Sequence, residues 1–319
     1  LQRAQDLRKR CLDAVYRLAK KNPAVVFSGS DLGVGVMEQF KKEMPGRWFM
    51  EGVSEQHIIG MAAGLAMSGK IVYFNTIATF MTRRCFEQNI VDLGISNAKV
   101  RLLGSGGGLV YAPLGPTHLA FEDIAIMRAI PNMTIVAPAD AEEMERAMLA
   151  SELWDGPIYV RVAKGGDPVV SKPEHGFALG KAILHKEAGD ALFVTTGIML
   201  NRALDAAKLL EADGISCGIL HAHTVKPFDA PALVAAARGA KAVVSLEEHT
   251  VLGGLGSAVA ETLLESGLER APRFKRLGVP DCFPDEYGSQ NSLLDKYGLN
   301  APLIAASTKA LLSRSEVRC

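Results

Sequence analysis

"MTIVAPADAEEMERAMLASELWDGPIYVRVA" (residues 133–163) carries the pattern that decides the fold. An apolar run, 133–138, gives way to a helical segment, 140–153, and a second apolar run, 157–163, follows it. Short continuous apolar runs separated by helices read as strands buried on both faces of a mainly parallel sheet. The alternation extends both ways. Upstream, strands are expected at 24–33 (running into a Gly-containing loop), 70–76 and 98–105, with helices near 4–20, 55–68, 78–94 and 120–129. Downstream, residues 163–190 gather glycines, prolines and charges and read as a linker with a short lead-in hairpin. Strands at 191–197, 214–222 and 241–248 follow, with helices at 199–212, 255–267 and about 300–313. The expected fold class is α/β in two domains, 1–175 and 176–319, each a mainly parallel sheet flanked by helices.

The composition suits this reading. A chain of 319 residues has room for two domains, and 48% hydrophobic with 22% charged residues is the balance of a soluble globular protein with large cores. Lys plus Arg and Asp plus Glu number 35 each, so no global charge calls for nucleic acid or an anionic membrane as partner. Low net charge with high apolar content is consistent with a surface partly covered by another subunit. The five cysteines, Cys11, Cys85, Cys217, Cys282 and Cys319, are scattered and form no C-x-x-C pair. That argues against a disulfide framework or a zinc site and for a reducing compartment. No apolar run approaches the roughly 20 residues that span a bilayer. The charged start, residues 1–22, does not resemble a secretory signal, and the expected location is the cytoplasm.

Two stretches carry candidate chemistry. In "EGVSEQHIIGMAAGLAMSGK" (51–70) a lone acid, Glu55, opens a helix with hardly another charge. On local grounds it compensates the helix dipole behind Ser54 as N-cap. In "GSGGGLVYAPLGPTH" (104–118) four glycines follow a strand, in neither the G-x-G-x-x-G nor the G-x-x-x-x-G-K-[ST] arrangement. Read alone, the stretch is a flexible turn at the carboxyl edge of the sheet, where ligands of open α/β folds sit. His118 ends it at a loop-to-helix junction.

Taken in order, "SDLGVG", "EGVSEQHIIGMAAGLA", "FMTRRCFEQNI", "GPTHLAFEDIAIMRAIPNMTIVAPAD", "VTTGIMLNRALDAAKLLEADGI" and "EEHTVLGGLGSAVAE" resemble the pyrimidine-binding and C-terminal domains of the transketolase family. The resemblance covers nearly the whole chain. It implies thiamine diphosphate and Mg2+ as cofactors and transfer of a two-carbon ketol unit from a ketose or its phosphate to an aldehyde. Alternatives within the same resemblance are a decarboxylating carboligase, a 2-oxoacid dehydrogenase β-type subunit, or a non-catalytic regulatory homologue. The family's G-D-G motif, which with a later Asn holds diphosphate and metal, does not occur here. The resemblance therefore implies the C-terminal subunit of a split enzyme, active with an N-terminal partner that carries G-D-G, in an α2β2 assembly with this subunit self-associating as a dimer.

The resemblance also implies roles by residue. Glu55 matches the acid that exchanges a proton at N1′ of the cofactor's aminopyrimidine, so that the thiazolium C2 can ionise. A solvated Glu, with pKa about 4.3, does this poorly, and desolvation helps. The Ala- and Gly-rich helix behind Glu55 is expected to pack on a partner domain and so keep the acid dry. Phe80 matches an aromatic that stacks on the aminopyrimidine, with Ile77 three residues earlier on the same face. Arg83 and Arg84 follow, and the motif leaves open which of them reaches the site. Leu32 matches a bulky residue that props the bent cofactor, with Asp31 beside it. His118, Arg8 and Lys164 match substrate-contacting positions, although Arg8 and Lys164 read by themselves as solvated surface cations. Gly106 stands where a phosphate-contacting His is usual, Leu114 where an Asp binds an acceptor hydroxyl, and Gly35 where a Ser is common. Leu in place of that Asp penalises a hydroxyl there. It implies a donor or acceptor outside the usual pentose-phosphate set, such as a less hydroxylated or unphosphorylated aldehyde.

Overall fold

The computed structural model describes residues 6–29, 35 and 37–313, so Asp31 and Leu32 lie outside the described residues. The first unit contains α1 (Leu7–Lys21), β1 (Val25–Gly29), α2 (Glu38–Glu43), β2 (Trp48–Met50), α3 (Glu55–Met67) and β3 (Ile71–Ile77). Residues 80–94 are helical but irregular: π-helical pieces Phe80–Arg84 and Asn89–Gly94 flank α4 (Phe86–Gln88). Next come β4 (Val100–Ser105), α5 (Asp123–Arg128), β5 (Thr134–Val136), α6 (Ala141–Ser151) and β6 (Ile158–Val162). The second unit holds β7 (Ile183–Lys186), β8 (Ala191–Thr195), α7 (Met199–Ala212), β9 (Cys217–His221), β10 (Thr224–Lys226) and α8 (Ala230–Ala237). It closes with β11 (Ala242–Thr250), α9 (Leu255–Glu265), β12 (Arg273–Val279), α10 (Gln290–Lys296) and α11 (Ala301–Ser313).

The apolar runs become what their pattern dictates: β1, β4, β6, β8 and β9 are buried along their whole length. They form two α/β sheets, ordered β10-β5-β6-β4-β3-β1-β2 and β12-β11-β8-β9-β7. All neighbours are parallel except two edge pairs, β10 with β5 and β7 with β9. The expected lead-in hairpin does not form. Only β7 arises from that segment, and its partner is β9, some thirty residues on. Edge strands escaped the sequence pattern for a physical reason. β2 and β10 are three residues long, and β12 carries Arg273, Lys275 and Arg276, as edge strands commonly do.

β10 belongs to the second unit in chain order but pairs with β5 of the first. Lys226 fixes it there, donating its ammonium to the carbonyls of Arg128 and Ile130. Backbone bonds add to the join: Ala137 N–H to His223 O (2.7 Å), Gly197 N–H to Ala137 O (3.0 Å) and Thr250 N–H to Phe121 O (2.7 Å). At the chain's start, Asp6 caps α1 by accepting from Lys9 N–H, and Arg10 pairs with Glu142 of α6 at 2.7 Å. These contacts set the first turn of α1, and with it Arg8, against the sheet's carboxyl edge.

Candidate active site

Glu55 opens α3 and is 2% exposed. Ser54 does not cap the helix: its hydroxyl donates back to Glu51 O at 2.8 Å. Burial of Glu55 is already complete within one chain, so the expected need for a partner domain to dry it is corrected. Its partner is Arg84, whose Nη1 donates to Glu55 Oε2 at 2.7 Å. The same guanidinium lies over the ring of Phe80, 4.4 Å from its centroid. His118 meets Phe80 edge-on, 5.3 Å between centroids, and shares a hydrogen bond with Thr117 Oγ1.

The π-helical turn makes this geometry. A π turn holds an extra residue and re-aims its side chains. Phe80 opens the piece and Arg84 closes it, and Arg84 reaches Glu55 while lying over the Phe80 ring. Arg83 goes elsewhere, to Thr117 O (3.1 Å) and the Glu122 carboxylate (2.9 Å). Thr79 Oγ1 donates to Leu119 O, so this segment and the 117–119 loop are stitched together. Of the two arginines, Arg84 reaches Glu55 and Arg83 braces the loop. Ile77 is corrected too: it ends strand β3 and shares no helical face with Phe80. The neighbouring Cys85 is buried, and burial, aided by the Glu55 charge, pushes its thiol up to about 12.

The glycine stretch is not a flexible turn. Residues 104–110 are all buried. A β-carbon on Gly107 would sit 2.3 Å from Arg161 Cγ, and one on Gly108 would sit 2.4 Å from Glu248 Cδ. Gly106 has φ +79°, and its β-carbon would fall 2.0 Å from Tyr111 Cε2. Tyr111 thus fills the space beside Gly106, the position at which the resemblance implied a His. Behind the loop, Arg161 pairs with Asp123 (2.8 Å) and donates to Ala120 O and Glu248 O. Glu248 accepts from Leu109 N–H (2.9 Å) and from Gln290. Burial raises the Glu248 carboxyl above the usual range, opposed by Arg161. Glu247 accepts from Leu255 and Gly256 N–H and caps α9. Sequence reasoning missed this support, although a charged Arg161 inside the apolar run 157–163 was a signal that it needed a buried partner.

Arg8 and Lys164 do converge. They line one cleft of ≈ 250 Å³ with Asp6, Gly106, Tyr111 and Leu114. Gly165, at φ +96°, makes the approach feasible: its β-carbon would lie 2.6 Å from Leu7 N. The structure therefore forms two groups, Glu55 with Phe80, Arg84 and His118, and Arg8 with Lys164. The loop 106–118 runs between them.

A separate polar cluster lies buried between the units. His221 Nε2 meets Glu143 Oε2 at 3.0 Å, and its Nδ1 meets Thr195 Oγ1. His223 stacks on Phe177, and His185 lies between His175 and His221. Burial pushes His185 and His223 each down to about 4. Burial opposes the charge on Glu143, but His221, His223 and Ala139 N–H outweigh it and hold the carboxyl at about 2. Among the described residues no His, Cys, Asp or Glu group is arranged to hold a metal ion.

Comparison with known proteins gives this geometry a context. Residues 3–166 match the model "Transketolase, pyrimidine binding domain" and residues 180–304 match "Transketolase, C-terminal domain". That pairing defines the class: the C-terminal part of a thiamine diphosphate-dependent two-carbon transferase. Among relatives, a 6-deoxy-6-sulfo-D-fructose transketolase subunit of Clostridium sp. (strain MSTE9) is 37% identical over 98% of this chain and 96% of its own. A subunit of an apulose-4-phosphate transketolase from Phocaeicola vulgatus is 34% identical over 92% and 93%. Among solved structures, a split gene transketolase described as an inactive beta4 tetramer superposes with TM-score 0.88 at 36% identity, covering 97% of this chain and 98% of that one. The chain belongs to the transketolase family, as the C-terminal subunit of a split transketolase.

Proposed function

We propose that this chain supplies the pyrimidine side of the thiamine diphosphate site, with Glu55 as the group that exchanges a proton at ring N1′. The slot between Glu55 and Phe80 carries the reading. A planar group that donates N–H to the carboxylate and lies over the ring fits there, since the Arg84 guanidinium does both. When bound, thiamine diphosphate supplies the nucleophilic carbon that attacks a ketose carbonyl. Phe80 stacks on the pyrimidine, and His118, at the edge of Phe80, contacts the substrate. Leu32, with Asp31, props the cofactor, and Ile77 lies beside it. Diphosphate and Mg2+ fall to an N-terminal transketolase-like partner with a G-D-G motif.

Arg8 and Lys164 share a cleft, which supports an anionic substrate terminus there. The names of two relatives carry a sulfonated and a phosphorylated sugar. The proposed donor is a ketose with a terminal phosphate or sulfonate, its partner aldehyde lacking a hydroxyl opposite Leu114. The assembly is α2β2, with this subunit self-associating, in the cytoplasm, and the two units divide near residue 175. On α3 and beside it, Gly60, Gly64, Met67 (75% exposed) and Ile95 (76%) leave an apolar face outward, which supports an interface there.

The test uses the complex reconstituted with the N-terminal subunit. Glu55→Gln should keep the assembly mass in light scattering and lower kcat about 10²–10⁴-fold, the range of general acid–base contributions. Unchanged turnover would refute the assignment.

A further inference from the structure

We infer that Arg84 is a built-in stand-in for the cofactor ring: it closes the slot between Glu55 and Phe80 in the cofactor-free protein and must leave for loading. The inference rests on the proposed role of Glu55. The guanidinium is planar, cationic and rich in N–H donors, and it stacks on aromatic faces. Here it does both at once, 2.7 Å from Glu55 Oε2 and 4.4 Å over the Phe80 centroid. A pyrimidine that trades a proton with Glu55 while stacked on Phe80 needs the same carboxylate oxygens and the same ring face. Arg84 and the ring are therefore mutually exclusive occupants.

The surroundings allow such an exchange. The Arg84 side chain is 44% exposed, whereas Glu55 is buried, so the cation forms the outer wall of the slot and has solvent to swing into. Its backbone is held, since Gln56 donates to Arg84 O at 3.0 Å, and the motion is confined to the side chain. Arg83 cannot take its place while it is bound to Thr117 O and Glu122. There is also a reason for a stand-in. An unpaired carboxylate at the burial of Glu55 is costly, and Arg84 pairs it until the cofactor arrives. Loading then has to break a charge-assisted hydrogen bond, which weakens and slows it.

The experiment titrates the reconstituted complex with thiamine diphosphate and Mg2+, following intrinsic fluorescence at equilibrium and by stopped flow. Arg84→Met, which keeps an unbranched stem and removes the charge and the plane, should bind the cofactor about tenfold tighter and load faster. Without cofactor, the same variant should melt below wild type, because Glu55 has lost its partner. Equal or weaker affinity in Arg84→Met would overturn the inference and make Arg84 a bystander or a cofactor ligand. A wild-type complex that binds no thiamine diphosphate would instead overturn the reading of the site itself, and this inference with it.

Discussion

Gly106 shows how much one position constrains the substrate end. Its φ of +79° and the Tyr111 ring 2.0 Å from a would-be β-carbon make any side chain there unfavourable twice over. Gly106→Ala should lower unfolding free energy by about 2–3 kcal/mol in urea denaturation. In a Tyr111→Ala background the same change should cost only about 1 kcal/mol, the part due to the backbone alone. Leu114 is the complementary case, since it lines the cleft and is free to change. Leu114→Asp should shift the kcat/KM ratio towards acceptors that carry an extra hydroxyl, about tenfold or more, measured with paired aldehydes. Glu55 stood out as a single acid at the head of an apolar helix, but the local pattern read it as a partner of the helix dipole, and only the family resemblance gave it a chemical role. Its burial was expected to come from a partner, but the chain alone already buries it, and its hydrogen-bond partner is a side chain 29 residues away. No periodicity reveals that kind of contact, because it depends on where a π turn points an arginine.

At the scale of elements, the buried strands could be read because each is a continuous apolar run, and the short or charged edges could not. The stretch 78–94 was read as one helix, and it is helical but irregular. Its π-helical pieces, which aim Phe80 and Arg84, leave no trace in hydrophobic spacing. The glycine loop misled for a related reason: glycine marks flexibility and close packing alike, and only the neighbours Arg161, Glu248 and Tyr111 decide between them. Helix α3 offers a direct test of its open face. A β-carbon on Gly64 meets nothing within 4 Å. Gly64→Arg should leave the chain's melting temperature nearly unchanged and impair its association with partners, read by analytical ultracentrifugation. Normal assembly of this variant would remove α3 from the interface.

Across the whole molecule, the cluster of Glu143, His185, His221 and His223 ties stability to pH. His185 and His223 sit at about 4 in the folded chain, against about 6.5 when unfolded. Between these values the unfolded chain binds more protons, so stability falls as pH drops from about 6.5 towards 4. The slope is at most about 1.4 kcal/mol per pH unit for a fully buried histidine, and less for the part-exposed His185. Glu143, held at about 2, adds a further loss below its unfolded value of about 4.3. His223→Gln should flatten the fall of melting temperature between pH 6.5 and 4, measured by calorimetry. An unchanged slope would show that His223 does not titrate on unfolding.

The short strand β10 has a consequence for how such proteins can be recombined. Residues 224–226 complete a sheet whose other strands all come from residues 25–162. A gene cut near residue 175 would separate a sheet from its own border. Chimeras that trade the latter half between relatives as a ready-made cassette import a foreign border strand each time. Those that carry 134–136 and 224–226 from the same parent keep the seam matched.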